Sequence, residues 1–446
     1  MRVQIRFAAK SAVVSFAMSF TLMLGAAGIV RAQEAPAASP PPVKLADWVA
    51  EAERNHPAIQ AAARMVYAKR ARVAQARALP DPQLSLGYMG DFAPFKTQRN
   101  DPSSYRSVGV MQEFPFPGKR DLRGKIATKE ADAELPNVEA ARRRVRAEVK
   151  LAYYELWSVE KAIEITGKNK ELLEKLARIA EERYKLGKGL QQDVLRAQVE
   201  VTRIRQRQTL LEQRRHTQEA QINSLLLRPD DAPLGPLPKE LAKSGLPYSI
   251  IELIGKGVEN SPEIRRQEQL MEQSRLAADL ARKDLYPDFG VGWDYQNRTS
   301  GQPEMYGLRF TMNLPFFNKG KRYAAINEAN ETRASAQQAR EAVRIALLFQ
   351  VKEQYLTARA SDELLTLYSK AIVPQSALAL ESSMSAYQVG SLDFLSLLTN
   401  FVTVLDYETS YYEELGRYQQ ALVRLEELTG IELDGAAGSA PEARLP

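Results

Sequence analysis

The sequence predicts a mainly α-helical protein with a small β part, built as a duplicated unit of long helices and paired strands. Three observations carry this prediction. Landmarks recur at a near-constant offset, two pairs of segments alternate apolar and polar with period two, and long charged, Ala-rich stretches place apolar residues at four-three spacing.

The 446-residue chain opens with Arg2, Arg6 and Lys10, followed by an apolar run from Ala12 to Val30 and then Arg31-Ala32-Gln33. A basic start, an apolar centre and small residues at the end describe a secretory signal peptide over 1–32, with cleavage expected after Ala32. The run also reaches the roughly 20 residues a helix needs to cross a bilayer, so a retained anchor is the alternative reading. The Pro/Ala-rich segment 33–45 favours cleavage. Gln33 rather than Cys follows the site, so no lipidated N-terminus is expected. No later segment is apolar over a spanning length, which leaves membrane residence to strands.

Composition excludes several function classes. The signal segment holds four cations and no acid, so its removal takes the formal charge from +6 to +2. That balance argues against nucleic acid as a partner, which calls for clustered excess Lys and Arg. The absence of cysteine removes thiolate metal sites and cysteine nucleophiles. His56 and His216 lie on separate segments and make no metal cage by themselves. Neither a P-loop nor an acid–base pair can be placed, so no enzymatic activity and no cofactor are expected. The abundant carboxylates read as solvated helix faces.

The duplication shows in matched landmarks. Asn55-His56-Pro57 answers Asn260-Ser261-Pro262, and the segment from Asp81 to Tyr88 answers Tyr286 to Trp293, both at an offset of 205. Phe114-Pro115-Phe116 with Lys119-Arg120 answers Leu314-Pro315-Phe316 with Lys321-Arg322. Tyr184-Lys185-Leu186-Gly187 answers Tyr387-Gln388-Val389-Gly390. The first copy spans 46–227, a Pro-rich linker 228–247, the second copy 248–430 and a tail 431–446. Each copy reads as helix, two strands, then two helices.

The strands fall near 82–91, 105–115, 287–296 and 305–315. Leu84, Leu86 and Tyr88 alternate with Gln83, Ser85 and Gly87; Phe289, Val291, Trp293 and Tyr295 alternate with Gly290, Gly292 and Asp294; Tyr306, Leu308, Phe310 and Met312 alternate with Gly307, Arg309 and Thr311. Strands of about ten residues with one apolar face suit a tilted transmembrane strand. Tyr88, Phe92, Phe95, Tyr105, Trp293, Tyr295 and Tyr306 are candidates for interfacial girdles. A hairpin pair on a soluble core is the competing reading. Four strands cannot close a barrel, and an open edge in lipid leaves backbone groups unpaired, so several chains must share one. Three copies give twelve strands, with loops 91–104 and 297–304 facing outward.

From Lys119 to Tyr184 apolar residues fall at Val145, Val149, Ala152, Leu156, Val159 and Ile163, a coiled-coil-like seam on a helix of about 100 Å. Gly187 marks its end, and a return helix follows over 190–227. The second copy repeats this around Gly390 and ends near Gly430. Pro136 and Pro374 are expected to kink or break these helices.

A signal segment, a duplicated unit, strand hairpins and paired long helices ending at Tyr-x-x-Gly turns resemble the TolC family of outer-membrane efflux proteins, over roughly Ala46 to Gly430. The run from Phe114 to Arg120 (Phe-Pro-Phe-Pro-Gly-Lys-Arg), that from Tyr387 to Leu395, and Ile372-Val373-Pro374-Gln375 look most like the heavy-metal branch, the CzcC and CusC type. The resemblance implies a homotrimer with a twelve-stranded β-barrel in the outer membrane and an α-barrel through the periplasm. Its implied partners are outer-membrane lipid, a periplasmic adaptor (membrane fusion) protein and an inner-membrane RND-type transporter. Lys119, Arg120, Lys321 and Arg322 would sit near the inner leaflet, meeting headgroups or, as the favoured reading, solvated.

Tyr184, Leu186, Gly187, Tyr387, Val389 and Gly390 resemble the adaptor-facing tips, with a merely structural turn as the alternative. Many family members narrow the entrance with aspartates beyond the glycine. Here the matching positions of the second copy hold Ser396 and Thr399, the first copy has Asp193, and Asp393 lies earlier. A ring of Asp193 or Asp393 is the candidate acidic entrance. The function implied is a passive exit duct, for heavy-metal cations, with drug efflux or type I protein secretion, or a periplasmic coiled-coil scaffold, as alternatives.

Overall fold

The computed structural model describes residues 44–90, 103–298 and 302–433. The signal segment, Phe92 and Phe95 lie outside the described residues. Before the first strand pair come two helices, α1 (Leu45–Asn55) and α2 (Pro57–Arg77). The break is local in origin. Pro57 disfavours helical backbone at His56, which is extended, and His56 Nδ1 accepts the Ala58 N–H at 3.3 Å as an N-cap. Strands β1 (Gln83–Met89) and β2 (Tyr105–Phe114) follow, then α3 (Lys119–Lys185) and α4 (Gln191–Leu226).

The second half runs in the same order: α5 (Ile250–Asn260), α6 (Pro262–Lys283), β3 (Phe289–Arg298), β4 (Met305–Met312), α7 (Lys319–Leu367), α8 (Val373–Val389) and α9 (Phe394–Thr429). Ser261 and Pro262 divide α5 from α6 as His56 and Pro57 divide α1 from α2, with Ser261 Oγ accepting the Ile264 N–H.

The strands form one antiparallel sheet in the order β1-β2-β3-β4, so among the described residues β1 and β4 each keep an unpaired edge. The helices continue that order: α3 packs on α2 and on α6, and α6 packs on α7. The sheet therefore tops a row of helices whose outer members, α2 and α7, stand below the two free edges.

Helix α3 has 67 residues and reaches about 100 Å. Its seam buries Val145, Val149, Ala152, Leu156 and Val159 and continues in four-three steps through Thr166, Asn169, Leu173, Leu176 and Ala180. Between these runs Ala162 and Ile165 are buried while Ile163 is only half-buried. One core joins α3 and α9 around Trp157, Tyr418 and Leu422, and a second, nearer the helix tips, gathers Leu173, Leu176, Ile204, Leu397 and Phe401. Residues 228–247 are pinned to the first core: Trp157 Nε1 donates to the Pro238 carbonyl at 2.9 Å and Tyr418 to that of Ser244 at 2.7 Å.

Of the kink or break expected at the two prolines, neither is a break. Helix α3 runs through Pro136 without interruption. Ahead of Pro374 the chain widens into a single π-helical turn, Tyr368–Ile372, so α7 passes into α8 without leaving helical backbone. A π turn is one way for a helix to absorb a residue that lacks an N–H.

Candidate functional site

The sheet has two chemically distinct faces, and the register assembles them row by row. Leu84, Val110, Trp293 and Leu308 form one row, and Leu86, Val108, Tyr295 and Tyr306 the next; Gln112, Val291 and Phe310, then Phe114, Phe289 and Met312, complete the face. Tyr88 continues it beside Arg106. Leu84, Leu86, Trp293, Tyr306, Leu308, Phe310 and Met312 are exposed, while Tyr88, Phe289 and Val291 are half-buried. Among the described residues nothing covers this face. A ring cluster sits on it, with Tyr306 5.4 Å from Tyr295 and 6.2 Å from Trp293.

The opposite face carries Ser85, Gly109, Asp294 and Gly307 in one row and Gln83, Met111, Gly292 and Arg309 in another. Gln296 donates to Asp294 at 3.1 Å, and the Arg309 guanidinium stands 4.0 Å from the same carboxylate. Tyr105, expected among the girdle aromatics, belongs to this polar side, because it pairs with Met89 and Arg298. Period two assigns it there once β2 is seen to start at Tyr105.

At the base of the sheet the structure corrects the reading of Lys119 as solvated. This side chain is 2% exposed. Its ammonium donates to Asp288 Oδ1 at 2.8 Å and to the Tyr286 carbonyl at 3.0 Å, and lies 3.3 Å from Asp284. Asp288 Oδ1 also accepts the Phe116 N–H at 2.7 Å, and Phe116 stacks on Tyr286 at 4.6 Å. A buried cation requires such partners. They lie in the other half of the chain, so no local pattern announces them. Arg120 donates twice to the Arg77 carbonyl.

At the far end α3 and α8 close with the same motif. Lys188 N–H donates to the Arg183 carbonyl at 2.8 Å and Gly187 N–H to that of Tyr184 at 2.9 Å; Ser391 donates to Ala386 at 3.0 Å and Gly390 to Tyr387 at 3.1 Å. Gly187 and Gly390 have φ of 69° and 85°, the left-handed backbone this reversal needs. Leu186 and Val389 project outward, 70% and 81% exposed, and Tyr184 is exposed beside them. Tyr387 is buried against Phe394.

One contact at the tips has no sequence signal. Arg183 lies over the Tyr387 ring, 4.7 Å from its centroid, and its guanidinium donates to the Tyr387 carbonyl and, at 3.4 Å, to that of Lys188. The two halves are thereby tied together at their ends. Burial raises the Tyr387 pKa, Arg183 opposes that rise, and the charge of Asp193 adds to it.

Asp193 is half-buried in the first turn of α4. Asp393 is the N-cap of α9: its carboxylate accepts the Ser396 hydroxyl at 2.7 Å and the Ser396 N–H at 3.0 Å. The hydroxyl bond first, then the N–H, lowers its pKa and keeps it ionised. Among the described residues no cluster of three His, Cys, Asp or Glu side chains could hold a metal ion.

Residues 48–226 and 253–431 match the family described as "Outer membrane efflux protein". The cobalt-zinc-cadmium resistance protein CzcC of Cupriavidus metallidurans is 23% identical over 391 residues, covering 83% of this chain and 86% of CzcC. Among solved structures, the outer-membrane channel OprN superposes with a TM-score of 0.75 at 17% identity, covering 86% of this chain and 89% of OprN. CusC, described for conformational changes accompanying folding and transmembrane channel formation, gives 0.72 at 13% identity, covering 86% and 91%. These neighbours share the fold: long helices beneath a small antiparallel sheet. The two matched segments together span most of the chain, which therefore belongs to the outer membrane efflux protein family, a family of channel proteins of the outer membrane.

Proposed function

We propose that this chain is one protomer of a homotrimeric exit duct in a tripartite efflux system. The observation that carries the reading is a four-stranded sheet with an uncovered apolar face and an unpaired edge on each side. Unpaired edges are untenable in lipid, and seating β4 and α7 of one protomer against β1 and α2 of the next closes both. Three repetitions of that head-to-tail contact make a twelve-stranded ring. The flanking helices are suited to it: α7 exposes Ile345, Phe349 and Leu356 on the side away from its buried residues Leu347, Val351 and Ala358, and α2 exposes Met65 and Tyr67.

In this arrangement the apolar face meets outer-membrane lipid and the polar face lines the bore. Residues 46–227 and 248–430 act as two copies of one unit, and residues 1–32 serve as a cleaved, unlipidated export signal. The exposed tips at Leu186 and Val389 receive a periplasmic adaptor, with a ring of Asp193 or of Asp393 as the acidic entrance. The duct does no chemistry, and an inner-membrane transporter of the RND type supplies the energy. The similarity to CzcC favours heavy-metal cations as cargo.

Fractionation of cells expressing the full chain tests the core of the proposal. Expected is an outer-membrane protein whose detergent extract runs near three times the monomer mass unboiled and as monomer after boiling. A soluble periplasmic monomer would overturn it in favour of a scaffold. Cargo is read separately: a strain lacking the chain should become sensitive to divalent cobalt, zinc and cadmium, and sensitivity to dyes alone would replace metals by drugs.

A further inference from the structure

The two strand-to-helix junctions carry matching cations but use them in opposite ways. In the first half Lys119 is consumed by Asp288, Asp284 and the Tyr286 carbonyl, and α3 has Asp121 in its first turn. In the second half Lys319, Lys321 and Arg322 open α7 with no acid in that turn. Among the described residues their side chains make no ion pair or hydrogen bond; Lys319 and Lys321 are exposed and Arg322 is half-buried. The first acid along α7 is Glu328. Backbone physics does not gather cations here, because the start of a helix disfavours positive charge.

Two aromatic residues flank them. Phe317, on the turn between β4 and α7, is 80% exposed, and Tyr323 is 56% exposed. They follow in the chain directly after the exposed Phe310, Met312 and Leu314, at the end of β4. Aromatic rings just below a lipid-facing sheet, with long cationic side chains beside them, match the boundary where acyl chains give way to headgroups. The charge selects an anionic headgroup.

We propose that Phe317, Lys319, Lys321, Arg322 and Tyr323 form a binding site for an anionic glycerophospholipid of the inner leaflet, the cations holding its phosphate and the rings its glycerol and upper acyl region. The proposal rests on the reading of the apolar sheet face as lipid-facing. The site is one per protomer, since the equivalent lysine of the first junction is locked internally. It would seat the channel at a set depth and make its stability depend on lipid charge.

Native mass spectrometry of the detergent-extracted full chain tests it, titrating phosphatidylglycerol, cardiolipin or phosphatidylcholine. Three proteins are compared: wild type, the variant K319Q/K321Q/R322Q, and the control K168Q/K170Q/K175Q, which removes as many cations from α3 far from the sheet. Wild type and control should retain the two anionic lipids, and the junction variant should bind them at least about tenfold more weakly while keeping its oligomeric mass. Phosphatidylcholine should not discriminate among the three. Equal anionic-lipid binding by all three would overturn the proposal and leave these cations solvated. Loss of the oligomer in the junction variant, with lipid binding per protomer unchanged, would overturn it in favour of a protomer contact. Failure of the parent reading shows earlier, as a wild-type chain that fractionates outside the outer membrane before any lipid is added.

Discussion

At the residue scale the most consequential side chain is Lys119, because it joins segments 169 residues apart through Asp288. Removing one member of a buried ion pair strands the other, so K119M is expected to destabilise the detergent-solubilised protein by about 3 kcal/mol. D288N keeps an acceptor for the Phe116 N–H but leaves the lysine underpaired. The double variant should then lose less than the sum of the singles by about 1–3 kcal/mol, a coupling that chemical denaturation of the four proteins measures. Additive losses would show that the pair does not act as a unit. A second residue-level expectation concerns alkali. Burial raises the pKa of Tyr418 from 10.0 to about 12, and the same cause raises those of Tyr153 and Tyr412 to about 12. A pKa raised in the folded state favours the neutral phenol, so the stability involved is complete below pH 10 and is lost as pH rises through about 12. Phenol absorbance and helical circular dichroism should therefore change together in that window. Y418F should remove one phenol and part of the alkaline loss, at a cost of about 1 kcal/mol for its hydrogen bond to Ser244.

Among the elements, both tips turn on a glycine in left-handed backbone. Alanine at Gly187 meets no neighbouring atom, so G187A should cost about 1–2 kcal/mol from left-handed backbone alone. At Gly390 an added Cβ would also sit 3.3 Å from the Arg183 guanidinium, tighter than usual contact. G390A is thus expected to loosen the Arg183–Tyr387 tie, and hydrogen exchange at the Ser391 N–H should speed up by more than that at Lys188 in G187A. Equal acceleration at both would mean that the arginine simply moves aside. The position of both reversals was legible in the sequence, because Tyr-x-x-Gly recurs in each half. The tie was not, because a residue's helical period says nothing of which distant side chain will face it.

For the whole molecule, the decisive feature is that strands and helices end on the same two edges. If α7 meets α2 and, below it, α1 of the next protomer, the exposed Phe349, which lies at the level of α5 within its own protomer, is buried against α1. F349D would then forfeit about 1.5–3 kcal/mol of burial at each of three contacts and add a desolvated charge. The expected outcome is a trimer that dissociates at lower temperature on an unboiled gel, with the helical content of the protomer unchanged. An unaffected trimer would place the protomer contact elsewhere.

The amino-acid sequence by itself determined which residues share a face. Alternation at Leu84, Leu86, Trp293, Leu308 and Phe310 marked one apolar side of a sheet, and the four-three steps of α3 marked its seam, because both periods are set by local backbone geometry. Glycine at 187 and 390 ended helices for an equally local reason. Tertiary structure alone decided which halves meet: Lys119 with Asp288, Arg183 with Tyr387, and Lys150 with Glu426 at 2.6 Å across 276 residues. It also decided that α3 continues through Pro136 and that a π turn precedes Pro374. A lysine written the same way at two junctions is buried at one and exposed at the other, since burial depends on whether an acid from the opposite half arrives beside it.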